Sequence, residues 1–497
     1  MTFNPLLITA LLITGAIAAW GLVDTAGLAT IASATIKVQF SSRAWFIMLT
    51  VSGLLITSIV LAVSRFGDIK LGDDHDIPEF STVSWLSMLF AAGMGVGLLY
   101  WGTAEPLTHY LAISTVQDPR QAANSALFIT NFHWGFHAWA VYALTGLVIG
   151  YFGFRLKCPN LISAPLVCVY GENTATKAAG WLFDLLAIVA IAIGVGGSIA
   201  MGVFQIKGGI DTLLGLEGSG LTLTLSIFTI LCIAYLPPLL VDLGEGMAIL
   251  SNAAMAVAVG LMVFLLIAGP TQYIMGGTVQ AAGEYFGSVL VHGFRTFTFM
   301  DERAVDWFQA WTLTYMVWWL AWAPFVGVFI ARISKGRTIR EFMIGVVVVP
   351  TFFSIFWFGV FGSIGFFAAL NTDLPILELV QKDASRVTFF ILEQFPASGL
   401  TISAVIAAAF LFLVTSVVSA AFVLGMFSSG GDLNPARSVR LGWGIVLGAL
   451  GLVMILSGDI ATVKTIIALG ALPFVFVIII LVVCLIRALR VDKAVNS

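Results

Sequence analysis

Charge is what this chain has least of. Only 10% of its 497 residues are Asp, Glu, Lys or Arg, against about 25% in soluble domains. A soluble surface cannot be assembled from that supply. Lys and Arg number 23 and Asp and Glu 26, a net charge of −3 with no basic stripe, so nucleic acid is not an expected partner. Cysteine is scarce too. The four present form no C-x-x-C and no metal-type spacing, which excludes a disulfide-stapled module. Cys158 and Cys168 fall in one polar connection, Cys232 and Cys484 inside apolar runs, and all four read as unpaired thiols. No Gly-Lys dipeptide occurs, so the P-loop of a nucleotide-driven pump is missing. No G-x-S-x-G occurs either, which removes the nucleophile elbow of a hydrolase. His133 and His137 stand four residues apart, but Trp134 occupies the place where a zincin needs Glu; they read as packing or hydrogen-bonding histidines. Neither an enzyme nor a metal centre is expected.

What the chain has in excess is apolar length. Hydrophobic residues make up 60% and mean hydropathy is +1.04. A bilayer core about 30 Å thick takes about 20 apolar residues per helix. Twelve such runs appear, near 6–23, 45–65, 83–104, 124–152, 180–206, 221–240, 246–269, 305–331, 341–370, 398–428, 439–457 and 464–487. The expected class is an all-α polytopic membrane protein of 12 transmembrane helices, with the first run retained as a span, since no basic n-region or cleavage site accompanies it. An even count puts both termini on one side. The dense cluster Arg332, Lys335, Arg337 and Arg340 lies in a short connection of that same side, which assigns it to the cytoplasm, the membrane being the cell (inner) membrane. In 281–294, Tyr285, Phe286, Val289, Leu290 and Phe294 recur at helical spacing, marking an amphipathic helix on the outer membrane surface or packed between subunits. Trp45, Trp85 and Trp307 read as interfacial tryptophans.

Two spans are interrupted. The third carries Gly93, Gly95 and Gly97 at alternate positions, and the eighth carries Pro324 deep within Trp318 to Pro324. Interrupted segments in corresponding positions of two halves point to a secondary transporter's binding site. Counting from either break leaves spans 3–7 and 8–12, five per half, and the odd number makes the repeats inverted. The aromatic residues narrow the substrate. Trp134, Trp139 and Tyr142 share the fourth span, and Trp318, Trp319 and Trp322 flank the proline. A quaternary ammonium has no N–H to donate, so aromatic faces are what can grip it. Freed backbone N–H groups of Gly93 to Gly97 could hold an anion on the same molecule. Cage and amide nest together imply a zwitterion.

At these residues the chain resembles the betaine/choline/carnitine transporter family, nearly from end to end. The most specific part is WWLAWAPFVGVFIARISKGRTIREF, Trp318 to Phe342, joined by GMGVG at 93–97 and by Trp134 to Trp139 with Tyr142. The resemblance implies a leucine-transporter-type fold: two additional spans in 1–70, a first repeat in 83–270, the amphipathic helix 281–294, a second repeat in 304–488 and a short cytoplasmic tail, 489–497. It also implies a homotrimer. By position it implies substrate contacts from Trp134, Trp139, Tyr142, Trp319, Trp322, Trp318, Met94, Gly95 and Gly97. A sodium site would draw backbone oxygens from Ala91, Met94 and Phe412 and hydroxyls from Thr415 and Ser416. There are departures. Ile191 and Val195 stand where betaine carriers place two threonines of a second sodium site, although Phe325 is kept. Met255 and Val326 stand where sodium-independent exchangers carry Arg and Met, Gly97 where choline carriers tend to be acidic, and Val418 where an acidic residue is common.

The expected activity is therefore sodium-coupled symport of an onium zwitterion such as glycine betaine or dimethylsulfoniopropionate, with Na+ as coupling ion and no prosthetic group. A four-helix bundle of spans 3, 4, 8 and 9 would rock against the rest. The alternatives are a carnitine-type exchanger, a choline carrier, or a channel or receptor on the same scaffold. The short tail with Arg487, Arg490 and Lys493 leads to the further expectation of constitutive, osmolality-independent transport.

Overall fold

The computed structural model describes residues 4–93, 95–216, 219–241 and 244–492, with only the backbone of 90–93 and 244–245. Its helices of twelve residues or more are α1 (Pro5–Val23), α2 (Thr25–Val63), α3 (Thr82–Gly93), α4 (Val96–Ile113), α5 (Pro119–Trp134), α6 (Phe136–Gly150), α7 (Thr174–Leu214) and α8 (Gly220–Tyr235). They continue with α9 (Gly244–Ala268), α10 (Thr271–His292), α11 (Thr314–Ile333), α12 (Val349–Asn371), α13 (Ser398–Ser428), α14 (Arg437–Leu456), α15 (Ile460–Ala471) and α16 (Phe474–Arg490). Short polar side chains open many of them. Asn4 precedes Pro5 and accepts from the amide of Leu6, and Asp118 does the same before Pro119. Asn173 and Thr176 form a reciprocal capping box, and Asp459 caps α15 through the amide of Thr462. Each satisfies amides that the first helical turn leaves without a partner.

Ten helical stretches among the described residues are long and apolar enough to cross a membrane, and the pair α15–α16, bent by 43°, makes an eleventh. The count of twelve is not reached by that measure, because the third expected span is divided into α3 and α4. Met94, at the division, lies outside the described residues. The chain is thus an all-helical polytopic membrane protein. Its central stretches, 119–155 and 174–214, bury 89% of their most apolar windows, whereas α1 and the stretches 220–240 and 246–268 bury 28%. Large apolar side chains such as Leu12, Ile233 and Ile267 remain on the outside, where lipid rather than water is the solvent. The peripheral helices therefore shield a central group, and the site lies within that group.

Several expectations need correction. The fourth span is one stretch, 119–155, but it is interrupted within: α5 ends at Trp134 and α6 starts at Phe136. The eighth span, expected to break at Pro324, runs on through it as α11. Proline removes one donor but holds φ at a helical value. Tight packing around Pro324, Ala321 and Ala323 keeps the helix intact. The irregularity falls earlier, in a wide π-type turn over 309–313. The amphipathic segment 281–294 is the second half of the 22-residue α10, which begins at Thr271 and ends at His292. Its stripe divides: Tyr285 and Val289 are buried, while Phe286, Leu290 and Phe294 are exposed. Trp85 is not interfacial. It is buried, donates to the Ser334 hydroxyl at 2.9 Å and carries Arg337 over its ring at 4.0 Å. Cys158 and Cys168 are joined as a disulfide, because the short helix Ala164–Tyr170 folds the connection back and brings their Cα atoms to 6.8 Å. At the two ends of the described residues, Asn4 donates to the Ser428 carbonyl, and Arg155 pairs with Asp492 at 2.6 Å.

Candidate functional site

The break at Gly135 organises the site. A side chain there would collide with the Tyr285 hydroxyl and the Asn131 carbonyl, so only glycine fits. Two side chains satisfy the backbone groups that the break releases. Tyr285 accepts from the amide of Phe136 at 2.7 Å, and the indole N–H of Trp319 donates to the His133 carbonyl at 2.8 Å. Trp319 is thereby fixed at the end of α5, against Trp134.

The rings form a continuous wall. Trp134 and Trp319 meet edge to face with centroids 5.0 Å apart, and Tyr142 meets Trp319 at 5.8 Å. Trp318 stacks beside Trp319 at 6.5 Å. These rings touch one another, so a cation would lie against the wall and not between its members. The wall faces a cavity of about 680 Å³, which also reaches Trp322, Gly95 and Gly97. That size suits a small organic ligand. Trp139 does not line it; the ring packs behind Tyr142 at 5.6 Å. Phe412, Thr415 and Ser416 of α13 line the same cavity, opposite the division between α3 and α4. The Thr415 hydroxyl donates to the Leu411 carbonyl at 2.9 Å, within its own helix. The side chain of Ala91 and the whole of Met94 lie outside the described residues, so the other part of the expected sodium set has no geometry here. Ile191 and Val195 are buried in α7.

Sequence reasoning missed the residues that hold the wall. Glu105 of α4 is fully buried and accepts four hydrogen bonds: from His133 Nδ1 at 2.8 Å, His109 Nε2 at 3.2 Å, Trp134 Nε1 at 2.8 Å and the Tyr315 hydroxyl at 2.5 Å. His133 Nε2 in turn is hydrogen-bonded to the Thr312 hydroxyl at 3.0 Å. The nitrogen and oxygen atoms of Glu105, His109 and His133 lie within 4.8 Å of one another, engaged in these bonds. Trp134 is thus held through its indole N–H while it lines the cavity. The available signal was an acidic residue at the end of an apolar run, since ionisable groups at membrane depth are costly and rarely idle.

A second cavity, about 1090 Å³, opens on the opposite face and is lined by Asp306, Asp383, Asp459, Trp101, Trp311 and Lys464. Tyr315 stands between the two. Its ring stacks on Trp311 at 6.1 Å and touches Trp134 at 5.8 Å. The cage cavity, by contrast, reaches Arg332 and Arg440. Two cavities separated by a thin aromatic layer are what a carrier with alternating access needs.

Comparison with known proteins agrees with this architecture. Residues 5–494 match the family described as BCCT, betaine/carnitine/choline family transporter. The chain is 38% identical over 492 residues to the glycine betaine transporter OpuD of Bacillus subtilis, covering 97% of this chain and 93% of that one. It is 35% identical to a glycine betaine transporter of Acinetobacter baylyi, over 91% of this chain and 68% of that one. An ectoine/hydroxyectoine transporter of Virgibacillus pantothenticus is 34% identical, over 90% of this chain and 88% of that one. Members of the matched family are carriers and not enzymes, and with near-complete coverage the chain belongs to the betaine/carnitine/choline transporter family.

Proposed function

We propose that this transporter is a sodium-coupled symporter of a quaternary ammonium or sulfonium zwitterion, of the glycine betaine or dimethylsulfoniopropionate type. The observation that carries the reading is the wall of Trp134, Tyr142, Trp318 and Trp319, which lines one cavity together with Gly95 and Gly97. Aromatic faces attract an onium centre that no hydrogen-bond acceptor can engage, at about 0.5–2 kcal/mol per contact. Backbone amides freed beside the α3–α4 division suit the carboxylate. The names of the two betaine-carrying relatives support the same substrate class. Thr415, Ser416 and the Phe412 carbonyl, with Ala91 and Met94, are proposed as the sodium ligands, because hard cations favour oxygen from hydroxyls and unwound backbone.

The assembly belongs to the same proposal: two inverted five-helix repeats, a homotrimer in the cell (inner) membrane and both termini in the cytoplasm. On that orientation the cage cavity faces inward. The deciding experiment is uptake into proteoliposomes of glycine betaine, dimethylsulfoniopropionate, carnitine, choline and ectoine, with and without a sodium gradient. Sodium-dependent accumulation of a methylated zwitterion above its external concentration is expected. Equilibration without accumulation would refute a symporter in favour of a channel, and accumulation without sodium would refute the coupling.

A further inference from the structure

The mechanism above leaves unused two buried ionisable side chains that flank the wall. Glu105 lies behind Trp134, and Lys464 of α15 is buried on the other side of Tyr315. The Lys464 ammonium sits 3.4 Å from the centroid of Trp311, 5.6 Å from that of Trp101 and 5.9 Å from that of Tyr315. It therefore occupies an aromatic box of its own, one ring removed from the substrate wall.

The charge states follow from the hydrogen bonds. The Trp134 indole N–H and the Tyr315 hydroxyl donate to one Glu105 oxygen while His109 and His133 meet the other, an arrangement that suits a carboxylate anion. His133 meets Glu105 through Nδ1 and the Thr312 hydroxyl through Nε2, and because that hydroxyl can donate, a neutral ring satisfies both contacts. His109 meets Glu105 through Nε2, and its buried Nδ1 has no hydrogen-bond partner among the described residues. A proton there would be a stranded donor, so that ring is neutral as well. Lys464 borders the outer cavity and is gripped by ring faces, which attract a cation and not an amine. With both rings neutral, Glu105 and Lys464 are the buried side chains of opposite charge behind the wall among the described residues. Arg332 and Arg440 lie at the other end of the cage cavity, Arg332 paired with Glu79 at 2.8 Å and Arg440 over the ring of Phe422 in the first turn of α14.

We propose that Lys464 and Glu105 together set the net charge of the substrate: with both present the wall is electrically balanced and favours a net-neutral onium compound over a bare onium cation. This rests on the reading of the wall as an onium site. In a low-dielectric interior an uncompensated charge acts over many ångströms. Removing Lys464 alone leaves Glu105 to attract a bare cation, and removing Glu105 alone leaves Lys464 to repel one.

The test is competition between glycine betaine and choline, read as the ratio of their affinities by tryptophan-fluorescence titration and by uptake into proteoliposomes. Lys464→Met should shift the ratio toward choline by about tenfold, the size of one unit charge roughly 10 Å away at intermediate dielectric. Glu105→Gln should shift it the other way, and the double variant should return it to the wild-type value. Lys464→Arg, which keeps the charge, should leave the ratio in place. Where Lys464→Met does not fold, Lys464→Gln makes the same charge change. A ratio unmoved by loss of the Lys464 charge, or a double variant that keeps the shift, overturns the proposal. Wild-type protein that binds neither compound refutes instead the onium reading on which the proposal stands.

Discussion

Replacing Trp319 tests the site most directly, because that one side chain has a structural and a binding role that different substitutions separate. Its ring touches Trp134 and Tyr142, and its N–H closes the carbonyl end of α5 at His133. Trp319→Leu removes a π face worth about 0.5–2 kcal/mol to a bound cation. It also removes the edge-to-face partner of Trp134, worth about 0.5–1.5 kcal/mol, although Glu105 still holds the other edge of that ring. A net loss of about 1–2 kcal/mol in binding is expected, or roughly 5- to 30-fold in affinity. The orphaned carbonyl adds about 1 kcal/mol to the cost in stability. Trp319→Phe keeps a smaller aromatic face and loses the N–H, so its affinity should fall by less while its stability falls similarly. Calorimetric titration with glycine betaine measures the first quantity and thermal unfolding in detergent the second. If Trp319→Leu binds within about twofold of wild type, the wall does not grip the cation and the assignment is wrong.

Three further outcomes are expected. Replacing both Thr415 and Ser416 by Ala should raise the sodium concentration needed for half-maximal uptake steeply, and the wild-type sodium dependence should have a Hill coefficient near one, since Ile191 and Val195 offer no side-chain oxygen; sodium-independent uptake would contradict this. Gly135→Ala should lower the unfolding midpoint by about 1–3 kcal/mol of stability, because the new methyl displaces Tyr285 from the Phe136 amide; a wild-type melting curve would show that the break tolerates a side chain. Gly97→Ala places a methyl 3.2 Å from the far edge of Trp134, so the ring must give by a few tenths of an ångström. Uptake by that variant should show weaker half-saturation with its maximal rate largely kept, and an unchanged half-saturation would place Trp134 outside the binding surface.

Membrane class and family were legible in the linear chain, because both rest on local properties. Long apolar runs report the solvent around a helix, whatever it packs against. The stretch from Trp318 to Phe342 and the aromatic residues at 134–142 are contiguous, so most of the wall could be named without coordinates. The conformational breaks were harder to place. Gly93 to Gly97 and Pro324 looked equivalent by propensity, yet α3 and α4 divide at the first while α11 continues through the second. Propensity sets the cost of a break, and the surrounding packing decides whether the cost is met. Gly135 carried no such signal; its break exists because Tyr285 and Trp319 arrive to satisfy the released backbone. The same holds for the charged support of the wall. Glu105 meets His133 across 28 positions and Tyr315 across 210, and Lys464 meets Trp311 from near the far end of the chain. Neither spacing nor composition encodes those meetings, because a buried charge is tolerated only where several distant segments bring donors or ring faces to it, and that convergence is a property of the folded bundle alone.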